Sequence, residues 1–529
     1  MKEPQTITII QQLPENVQTR IDTLKQRGNE CFSRGQYAES LGLYTSALDV
    51  LRASLGLKPD TVFDADIGTQ LPAAVSRVAA ILLSNRANAL LHMEMVLRAL
   101  ADATAAAAVD PGYAKAHFRR GTALLRLGRG AEALDDFRRA AFLCPADPSA
   151  LDRVRECERF VQQQARARAA EDAEQAARRA IVASLGPMLL RPGTDLGPPD
   201  PARYRGPVLS AVPTVAEFGA VLDGFRRGER VHRHYVGQLL CQAMGILKML
   251  PNVVAVDAPP GARVTVVGDV HGQFFDLLHI LETAGMPGAA HQYVFNGDFV
   301  DRGAWGVEVA VTLLTLKCMY PRHVHLARGN HETASMNRTY GFAREAADKY
   351  GPTIAAMFTE TFASLPLAHV LGGRVFVVHG GIAAHSSARD VASLDEIQAV
   401  DRFGQPPDGS LMCDLLWSDP QPQNGLAPSP RGVGHLFGPD VTRAFLARTG
   451  LRMVIRSHEA VGTGYSVVHD GCLATVFSAP NYCDVLGNDG AYATLTAPDM
   501  VPVYTTFKAS PHPHVPSSSN WSFSNLFNF

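Results

Sequence analysis

Short apolar, β-branched runs alternate with polar blocks in the middle of the chain. The runs cover residues 263–267, 292–295 and 323–327. The blocks that follow them read GDVHG (268–272), GDFVDRG (297–303) and GNHE (329–332). This pattern predicts buried strands that carry polar residues at their C-terminal ends. Chemistry in α/β sheets is placed at those ends, so we expect a functional site here.

The same pattern recurs twice downstream, where residues 374–378 and 452–455 precede further histidine-containing blocks. The five predicted strand ends supply six candidate metal ligands: Asp269, His271, Asp298, Asn330, His379 and His458. Oxygen and imidazole ligands without a thiolate suit Mn²⁺ or Fe, with Zn²⁺ as an alternative. Two ions that share a carboxylate would use all six ligands, and we predict that Asp298 is the shared one.

These blocks resemble the metal-dependent protein serine/threonine phosphatase family, whose GDxHG, GDxVDRG and GNHE motifs are intact here. Two later blocks, LLWSDP (415–420) and SAPNYCD (478–484), also match. The resemblance covers residues 205–510 and implies an α/β calcineurin-like metallophosphoesterase domain, with a β-sandwich core flanked by helices. It also implies that two divalent metal ions, Mn²⁺ first and Fe or Zn²⁺ as alternatives, activate the attacking water.

The resemblance also assigns roles around the metal site. His331 is expected to protonate the leaving alkoxide, with Asp301 orienting its ring. Arg302 and Arg431 are expected to clamp the phosphate through planar guanidinium donors. The expected substrate-binding set is Arg302, Asn330, His331, Arg431 and Tyr482. From the sequence alone, packing is an equal alternative for Tyr482. Asp276 and Glu332 are expected either to belong to helices or to support the metal ligands, and Arg456 receives no chemical role.

Composition narrows the class of protein without identifying it. The chain has 529 residues, 46 % of them hydrophobic, and a formal net charge of −2, so nucleic acid and anionic membranes are not expected as main partners. The eight cysteines are scattered without a Cys-x-x-Cys pair, which favours a reducing compartment. No secretory signal or long apolar run is apparent. We therefore expect a soluble, cytoplasmic and also nuclear protein without stable membrane insertion.

The N-terminal part shows helical periodicity with an internal repeat. Small residues and a proline at Ala87, Ala99 and Pro111 recur 34 positions later as Gly121, Ala133 and Pro145. This spacing is the period of the tetratricopeptide helix pair. Gly28, Tyr44 and Ala47 mark an earlier copy that is displaced by an insertion near residues 55–75. We predict three repeats in an all-α domain.

The repeats resemble those of the type 5 branch of the same phosphatase family. In that branch, the repeats bind the acidic C-terminal tail of the 90-kDa heat-shock chaperone. The matching clamp positions are Lys25, Asn29, Asn85, Lys115 and Arg119. Three cations and two amides in one groove would bind a carboxylate-rich tail through charge-assisted hydrogen bonds. A regulatory glutamate of the branch matches Glu94, which we predict to lie near Arg302 in an autoinhibited resting state.

The predicted organisation has five parts. They are a leader (1–19), three repeats (20–150), a helical extension and linker (151–203), the catalytic domain (204–510) and a C-terminal tail (511–529). The tail carries an apolar cluster, at Trp521, Phe523, Leu526, Phe527 and Phe529, that does not match the C-terminal helix of the family.

The leading hypothesis is a phosphatase for phosphoserine and phosphothreonine proteins that the chaperone-binding repeats direct and regulate. One alternative is a catalytically silent adaptor that joins the chaperone to its clients. Another is a nucleotide or phosphodiester hydrolase built on the same metal core.

Overall fold

The computed structural model describes residues 12–58, 61–189, 196–200, 202–384 and 390–513. Within 164–189 it describes only some of the side chains. The chain divides into two compact units, Met1–Asp172 and Ala173–Phe529, and each is described by itself. The predicted aromatic cluster of the tail lies outside the described residues, as does most of the predicted leader.

The described residues of the first unit form helices joined by turns and loops, and none of them forms a strand. Its helices are α1 (Glu15–Ser33), α2 (Tyr37–Ser54), α3 (Ala65–Gln70), α4 (Ala73–His92), α5 (Val96–Val109), α6 (Ala114–Arg126), α7 (Gly130–Leu143) and the start of α8 (Pro148–Leu189). Three neighbouring pairs pack against each other, namely α1 with α2, α4 with α5 and α6 with α7. These pairs are the helical hairpins expected of tetratricopeptide repeats.

Small residues allow the two helices of a pair to approach closely. A Cβ atom on Gly28 would lie 2.6 Å from the Tyr44 ring, and one on Gly121 would lie 3.1 Å from the Phe137 ring. Both rings are buried. The glycine positions that mark the sequence repeat are therefore positions where an aromatic ring of the partner helix fills the space of a side chain.

The insertion after α2 folds back onto the repeat. The guanidinium of Arg52 lies 5.4 Å from the centre of the Phe63 ring, and its Nε donates a 3.0 Å hydrogen bond to the carbonyl oxygen of Thr61. Asp64 caps α3 by accepting a hydrogen bond from the backbone of Ile67. Because Phe63 and Ile67 are buried, the insertion extends the hydrophobic core rather than interrupting a helix.

The second unit contains the remaining helices and all the described strands. The helices are α9 (Val215–Arg226), α10 (Arg233–Lys248), α11 (Phe274–Ala284), α12 (Gly306–Met319), α13 (Ala334–Tyr340), α14 (Phe342–Tyr350), α15 (Pro352–Ala363), α16 (Leu394–Gln398), α17 (Leu411–Trp417) and α18 (Pro439–Thr449). The strands are β1 (Val253–Val256), β2 (Arg263–Val267), β3 (His291–Phe295), β4 (Val324–Leu326), β5 (Ala368–Leu371), β6 (Val375–Val378), β7 (Asp419–Pro420), β8 (Leu426–Pro428), β9 (His435–Phe437), β10 (Met453–Arg456), β11 (Tyr465–Val468), β12 (Leu473–Val476), β13 (Gly490–Thr496) and β14 (Pro502–Phe507).

Two mixed sheets form a sandwich. One has the strand order β1-β5-β6-β10-β12-β11 and the other β14-β13-β2-β3-β4, while β7, β9 and β8 form a small third sheet. Apolar side chains of β2 and β3 pack with those of β6, β10 and β12 in one core between the large sheets. Further apolar clusters join the sheets to the flanking helices. The predicted α/β sandwich is confirmed.

Strand direction brings the polar blocks together. Strands β2, β3 and β4 run parallel in one sheet, and β6 and β10 run parallel in the other. Each of the five predicted strands is present, and each ends at or beside its polar block. Among the described residues, no helix is both long enough and apolar enough to cross a membrane.

Candidate active site

The six predicted metal ligands, Asp269, His271, Asp298, Asn330, His379 and His458, are all buried and lie in one cluster. Asp298 is at its centre. Its Oδ2 lies 3.5 Å from His271 Nε2, and its Oδ1 lies 3.3 Å from His379 Nε2. The two oxygens of one carboxylate thus face two different histidines, which is the arrangement expected of a bridging ligand.

Two groups of side chains in this cluster have the spacing of ion sites. One ligand atom each of His271, Asp298 and His331 lies within 4.8 Å of the others, and the same is true of Asp298, His379 and His458. Asp298 belongs to both groups. Asp269 adjoins the first group, since its Oδ2 lies 3.7 Å from His271 Nε2.

The donor atoms in this cluster fit divalent cations. Asp269 Oδ2 and His458 Nε2 are buried and accept or donate no hydrogen bond. The side-chain oxygen of Asn330 lies 2.8 Å from His379 Nε2 and 3.1 Å from both Asp298 oxygens, so it also faces the lone pairs of a carboxylate. A buried polar atom without a partner is costly, and so is an oxygen held against a carboxylate; a cation would relieve both.

Backbone carbonyl oxygens orient two of the histidine ligands. Nδ1 of His271 lies 3.1 Å from the oxygen of Val300, and Nδ1 of His379 lies 2.9 Å from the oxygen of Asn296. Each Nδ1 therefore carries the ring proton and donates it to a carbonyl. This leaves Nε2 of each ring directed at Asp298, as in protein metal sites where the second ring nitrogen fixes the tautomer.

The charges of the cluster also favour a cation. Burial, followed by the negative charge of Asp298, raises the pKa of Asp269. Burial lowers the pKa of His379, but the charge of Asp298 and its hydrogen bond outweigh this effect and raise the value to about 9. A cation bound between these side chains would relieve the repulsion between the carboxylates and would replace the proton on His379.

The backbone of the site is held in uncommon conformations. Asp298, Asp301 and Arg302 have φ values of 51°, 68° and 71°. Glu332 holds this turn, because its carboxylate accepts hydrogen bonds of 2.7 and 2.9 Å from the backbone of Asp298 and Phe299. Positive φ at non-glycine residues costs free energy, and such strain concentrates at functional sites. Glu332 thus supports the site, as the sequence indicates.

His331 and Asp301 form the predicted pair. Nδ1 of His331 lies 2.8 Å from Oδ2 of Asp301, and both side chains are buried. Burial lowers the pKa of His331, but the negative charges of Asp298 and Asp301 outweigh burial and raise the pKa above its usual value. The ring lies beside that of His271, with centres 4.7 Å apart. A protonated imidazole at this position can donate a proton.

The two predicted phosphate-binding arginines each contact a residue to which the sequence assigned no role. The guanidinium carbon of Arg302 lies 3.9 Å from the centre of the Tyr340 ring. Nε of Arg431 donates a 2.7 Å hydrogen bond to Asp419. Burial raises the pKa of Tyr340, and the positive charge of the adjacent Arg302 opposes this rise.

Arg456, to which the sequence assigns no chemical role, is held by hydrogen bonds to two carboxylates. It is fully buried and donates a 2.7 Å hydrogen bond to Oδ1 of Asp419. Oδ2 of the same carboxylate accepts the hydrogen bond from Arg431. It also donates to Glu459 at 2.6 Å. Asp419 lies in the LLWSDP block, so its position was visible in the sequence, but its partners were not.

Tyr482 lies at the site as predicted, with its ring 5.0 Å from that of His271.

In the first unit, three of the five predicted clamp residues form a hydrogen-bonded chain. Asn85 donates to Asn29 at 3.2 Å, and Arg119 donates to the side-chain oxygen of Asn85 at 3.0 Å. Lys25 precedes Asn29 by one turn on α1, and Lys115 precedes Arg119 by one turn on α6. Residues four apart share a helix face, so all five lie along one surface of α1, α4 and α6.

Glu94 has a partner within the first unit. It follows α4 with φ of 56°, and its carboxylate accepts hydrogen bonds of 3.0 Å from Arg126. Its side chain is exposed. Glu94 and Arg302 belong to different units, and their proximity in a resting state stays a prediction.

Comparisons with known proteins agree with this geometry. Residues 262–462 match the calcineurin-like phosphoesterase family, and residues 114–147 match the tetratricopeptide repeat family. The chain is 40 % identical to serine/threonine-protein phosphatase T of Trypanosoma brucei brucei over 93 % of this chain and 96 % of that protein. It is 39 % identical to human serine/threonine-protein phosphatase 5 over 94 % of this chain and 92 % of that protein.

One of the similar solved structures matches more than half of the chain. It is a protein serine/threonine phosphatase from Saccharomyces cerevisiae described as similar to human phosphatase PP5. The match has a TM-score of 0.55 and 38 % sequence identity, and it covers 58 % of this chain and 100 % of the yeast chain.

Proposed function

Because this chain belongs to the serine/threonine-protein phosphatase 5 family and is a protein serine/threonine phosphatase, we propose how its residues bind the phosphate and break the phosphate ester. The observation that carries the proposal is the position of Asp298. It lies between two histidines and beside the His331–Asp301 pair, so metal binding and proton transfer are adjacent.

Two divalent ions, with Mn²⁺ as the proposed metal, would share Asp298. Asp269 and His271 would complete one site, and Asn330, His379 and His458 would complete the other. When bound, the ions supply the Lewis acidity that lowers the pKa of water and provides a nucleophile near neutral pH. Oxygen and imidazole donors support Mn²⁺ or Fe over softer metals.

His331 would donate the proton to the departing serine or threonine oxygen. Asp301 accepts a hydrogen bond from His331 Nδ1 at 2.8 Å, which fixes the tautomer and directs Nε2 at the site. Although His331 also lies within ligand distance of His271 and Asp298, the adjoining carboxylate stabilises the doubly protonated ring. A doubly protonated ring donates a proton but does not bind a metal.

Arg302 and Arg431 would bind the non-bridging oxygens of the phosphate, with Tyr482 and Asn330 as further donors. Tyr340 and Asp419 hold the two arginines, by ring contact and by hydrogen bond respectively. Planar guanidinium donors fixed in advance stabilise the charge of a transferring phosphoryl group without reorganisation.

One comparison tests this proposal against its alternatives. Mn²⁺-loaded full chain should hydrolyse a phosphoserine peptide, and Asp298→Asn should abolish turnover. Hydrolysis of a dinucleoside polyphosphate in preference to the peptide would favour a phosphodiester enzyme. Absence of turnover on either substrate in metal-replete protein would favour a silent adaptor.

For the first unit, we propose that the clamp surface, formed by Lys25, Asn29, Asn85, Lys115 and Arg119, binds an acidic C-terminal peptide. The 90-kDa heat-shock chaperone presents such a peptide. The support is the chain of contacts from Asn29 through Asn85 to Arg119, with two lysines one turn away on the same surface. Amides and cations in one row match a terminal carboxylate followed by an acidic side chain.

Titration of a peptide ending in a free acidic C-terminus tests this site. Lys115→Ala should weaken binding at least about tenfold, since a charge-assisted hydrogen bond is lost. Amidation of the peptide C-terminus should have a similar effect. The matched control is Arg98→Ala, an exposed cation on α5 outside the clamp surface, which should leave the affinity unchanged. Equal binding by Lys115→Ala and the parent would contradict the proposal.

We also propose that the protein acts in the cytoplasm and the nucleus. All eight cysteines are free thiols, which is the usual state in those reducing compartments. Fractionation of cells expressing the full chain tests this, and recovery in a secretory compartment would contradict it.

A further inference from the structure

Helix α13 (Ala334–Tyr340) begins just after the GNHE block and carries a buried asparagine that faces back toward the site. Asn337 is 2 % exposed. Its Nδ2 donates a 3.0 Å hydrogen bond to Oδ2 of Asp301 and a 2.6 Å hydrogen bond to the backbone oxygen of His331. Both acceptors lack a proton to donate, so the orientation of the amide is fixed by its partners.

The carboxylate of Asp301 is held by three donors. Oδ2 accepts hydrogen bonds from His331 Nδ1 at 2.8 Å and from Asn337 Nδ2 at 3.0 Å. Oδ1 accepts a hydrogen bond from the backbone N–H of Phe342 at 2.8 Å. Phe342 begins the next helix, so its N–H holds one end of the carboxylate from the backbone. Asn337 donates hydrogen bonds to both members of the His331–Asp301 pair.

We infer that Asn337 is a positioning residue for proton donation by His331, because one amide group fixes both the carboxylate and the backbone of that pair. This inference rests on the proposed role of His331. Among the described residues, the side-chain hydrogen bonds of Asn337 go to Asp301 and His331. They do not go to the predicted metal ligands or to the arginines proposed to bind phosphate. Its effect is therefore expected on proton transfer to the leaving group rather than on phosphate binding.

The choice of leaving group separates these effects. A serine alkoxide is a poor leaving group and needs a proton as the ester bond breaks, whereas 4-nitrophenolate leaves as a stable anion. A positioned general acid contributes on the order of 10²–10⁴ in rate where the proton is needed. Displacing His331 by a small amount should thus slow hydrolysis of a phosphoserine peptide much more than hydrolysis of 4-nitrophenyl phosphate.

The test compares kcat for the two substrates in the Mn²⁺-loaded full chain. Asn337→Ala should reduce kcat on the phosphoserine peptide about tenfold more than on 4-nitrophenyl phosphate, with KM for both substrates within about twofold of the parent. His331→Asn should show the same selectivity to a larger extent. Metal content by mass spectrometry and the thermal unfolding temperature should be measured for every variant.

The matched control is Asn252→Ala. Asn252 is also 2 % exposed, and its Nδ2 donates to the backbone oxygens of Ile397, Gln398 and Val400, away from the His331–Asp301 pair. Substitution of Asn252 should destabilise the unit and change kcat on both substrates by the same factor. If Asn337→Ala does not fold, Asn337→Leu gives the same comparison, since it has a similar size and removes the donor without adding a charge beside Asp301.

The outcomes are distinguishable. Equal losses on the two substrates with Asn337→Ala, or no loss on either, would overturn the inference while leaving the role of His331 intact. Equal losses with His331→Asn would show instead that His331 is not the proton donor, and both the proposed role and this inference would fail.

Discussion

Asp419, which is buried, and the partly exposed Arg431 form an ion pair in which the carboxylate accepts a 2.7 Å hydrogen bond from Nε of the guanidinium. The other oxygen of Asp419 accepts from the fully buried Arg456. Burial opposes the charge of Arg431, but Asp419 outweighs this and raises the arginine pKa. One carboxylate therefore connects the arginine proposed to bind phosphate to the strand β10, which leads to the His458 block.

This contact predicts the effect of Asp419→Asn. The charge-assisted hydrogen bond to Arg431 is weakened, so the guanidinium is less firmly held for the phosphate. We expect kcat/KM on a phosphoserine peptide to fall about tenfold or more. The value of kcat/KM on 4-nitrophenyl phosphate should fall by a similar factor. Asp470→Asn, which breaks an exposed pair with Arg443, is the matched control and should leave kcat/KM unchanged. Unchanged kinetics for Asp419→Asn would contradict this role.

A second prediction concerns the contact between Gly28 and Tyr44. A methyl group at Gly28 would lie 2.6 Å from the buried Tyr44 ring, whose hydroxyl donates a 2.7 Å hydrogen bond to Asn29 of the clamp surface. We expect Gly28→Ala to reduce the free energy of unfolding by about 1–3 kcal/mol through overpacking. It should also weaken binding of an acidic peptide.

The control is Gly42→Ala on α2, where a methyl group meets no atom within 4 Å. Alanine has the higher helix propensity, so this variant should be about 0.5–1 kcal/mol more stable than the parent. Thermal unfolding followed by circular dichroism measures both. A Gly28→Ala protein as stable as Gly42→Ala would contradict the packing argument.

A third prediction concerns pH and the ion pair of α6 with α7. Burial raises the pKa of Asp136, but hydrogen bonds from His117 and Arg120 outweigh burial and lower it below the usual value. A carboxyl group with a lowered folded-state pKa stabilises the fold fully above its unfolded-state pKa of about 3.9. That stabilisation is lost as the pH falls through the lower, folded-state pKa.

Asp136→Asn should therefore unfold at a lower temperature than the parent at pH 7. The difference between the two proteins should shrink as the pH falls below about 4, where Asp136 becomes protonated in the parent as well. Thermal unfolding of the full chain between pH 3 and pH 7 tests this. A difference that stays constant over that range would contradict the assigned cause.

The sequence was sufficient to predict that the candidate metal ligands lie together, because strand direction determines where they meet; their binding of metal stays a prediction. Asp269, His271, Asp298, His379 and His458 all follow the C-terminal ends of strands, and these ends meet in any sandwich with this strand order. Periodicity likewise predicted the helix pairs. These features depend on local pattern and on the general rules of sheet assembly.

The supporting residues could not be predicted in this way. Tyr340, Asn337 and Asp419 act through side-chain contacts that form only when helices and loops close over the sheet edge. Asn337 lies six positions after His331, a spacing that by itself does not predict that a side chain turns back to the same carboxylate. Asp419 was part of a recognised block, but its bonds to two arginines depend on the packing of β7 against β9.

A fourth prediction concerns Glu332, which holds the turn of Asp298. Its carboxylate accepts backbone N–H groups of Asp298, Phe299 and Gly329 at 2.7, 2.9 and 2.9 Å. Glu332→Gln keeps the size of the side chain but places an N–H donor against one of these donors. We expect Mn²⁺ affinity to fall at least about tenfold, within the range for groups that orient metal ligands. Isothermal titration with Mn²⁺ measures this; an unchanged affinity would contradict the supporting role of Glu332.

The central claim is that Asp298 holds two metal ions at once. The most direct test is the number of Mn²⁺ ions bound per full-length chain, measured by mass spectrometry after removal of free metal, for the active parent protein and for Asp298→Asn. We expect two ions in the parent, and loss of both bound metal and turnover in the variant. A single ion in fully active parent protein, or turnover retained by Asp298→Asn, would contradict it.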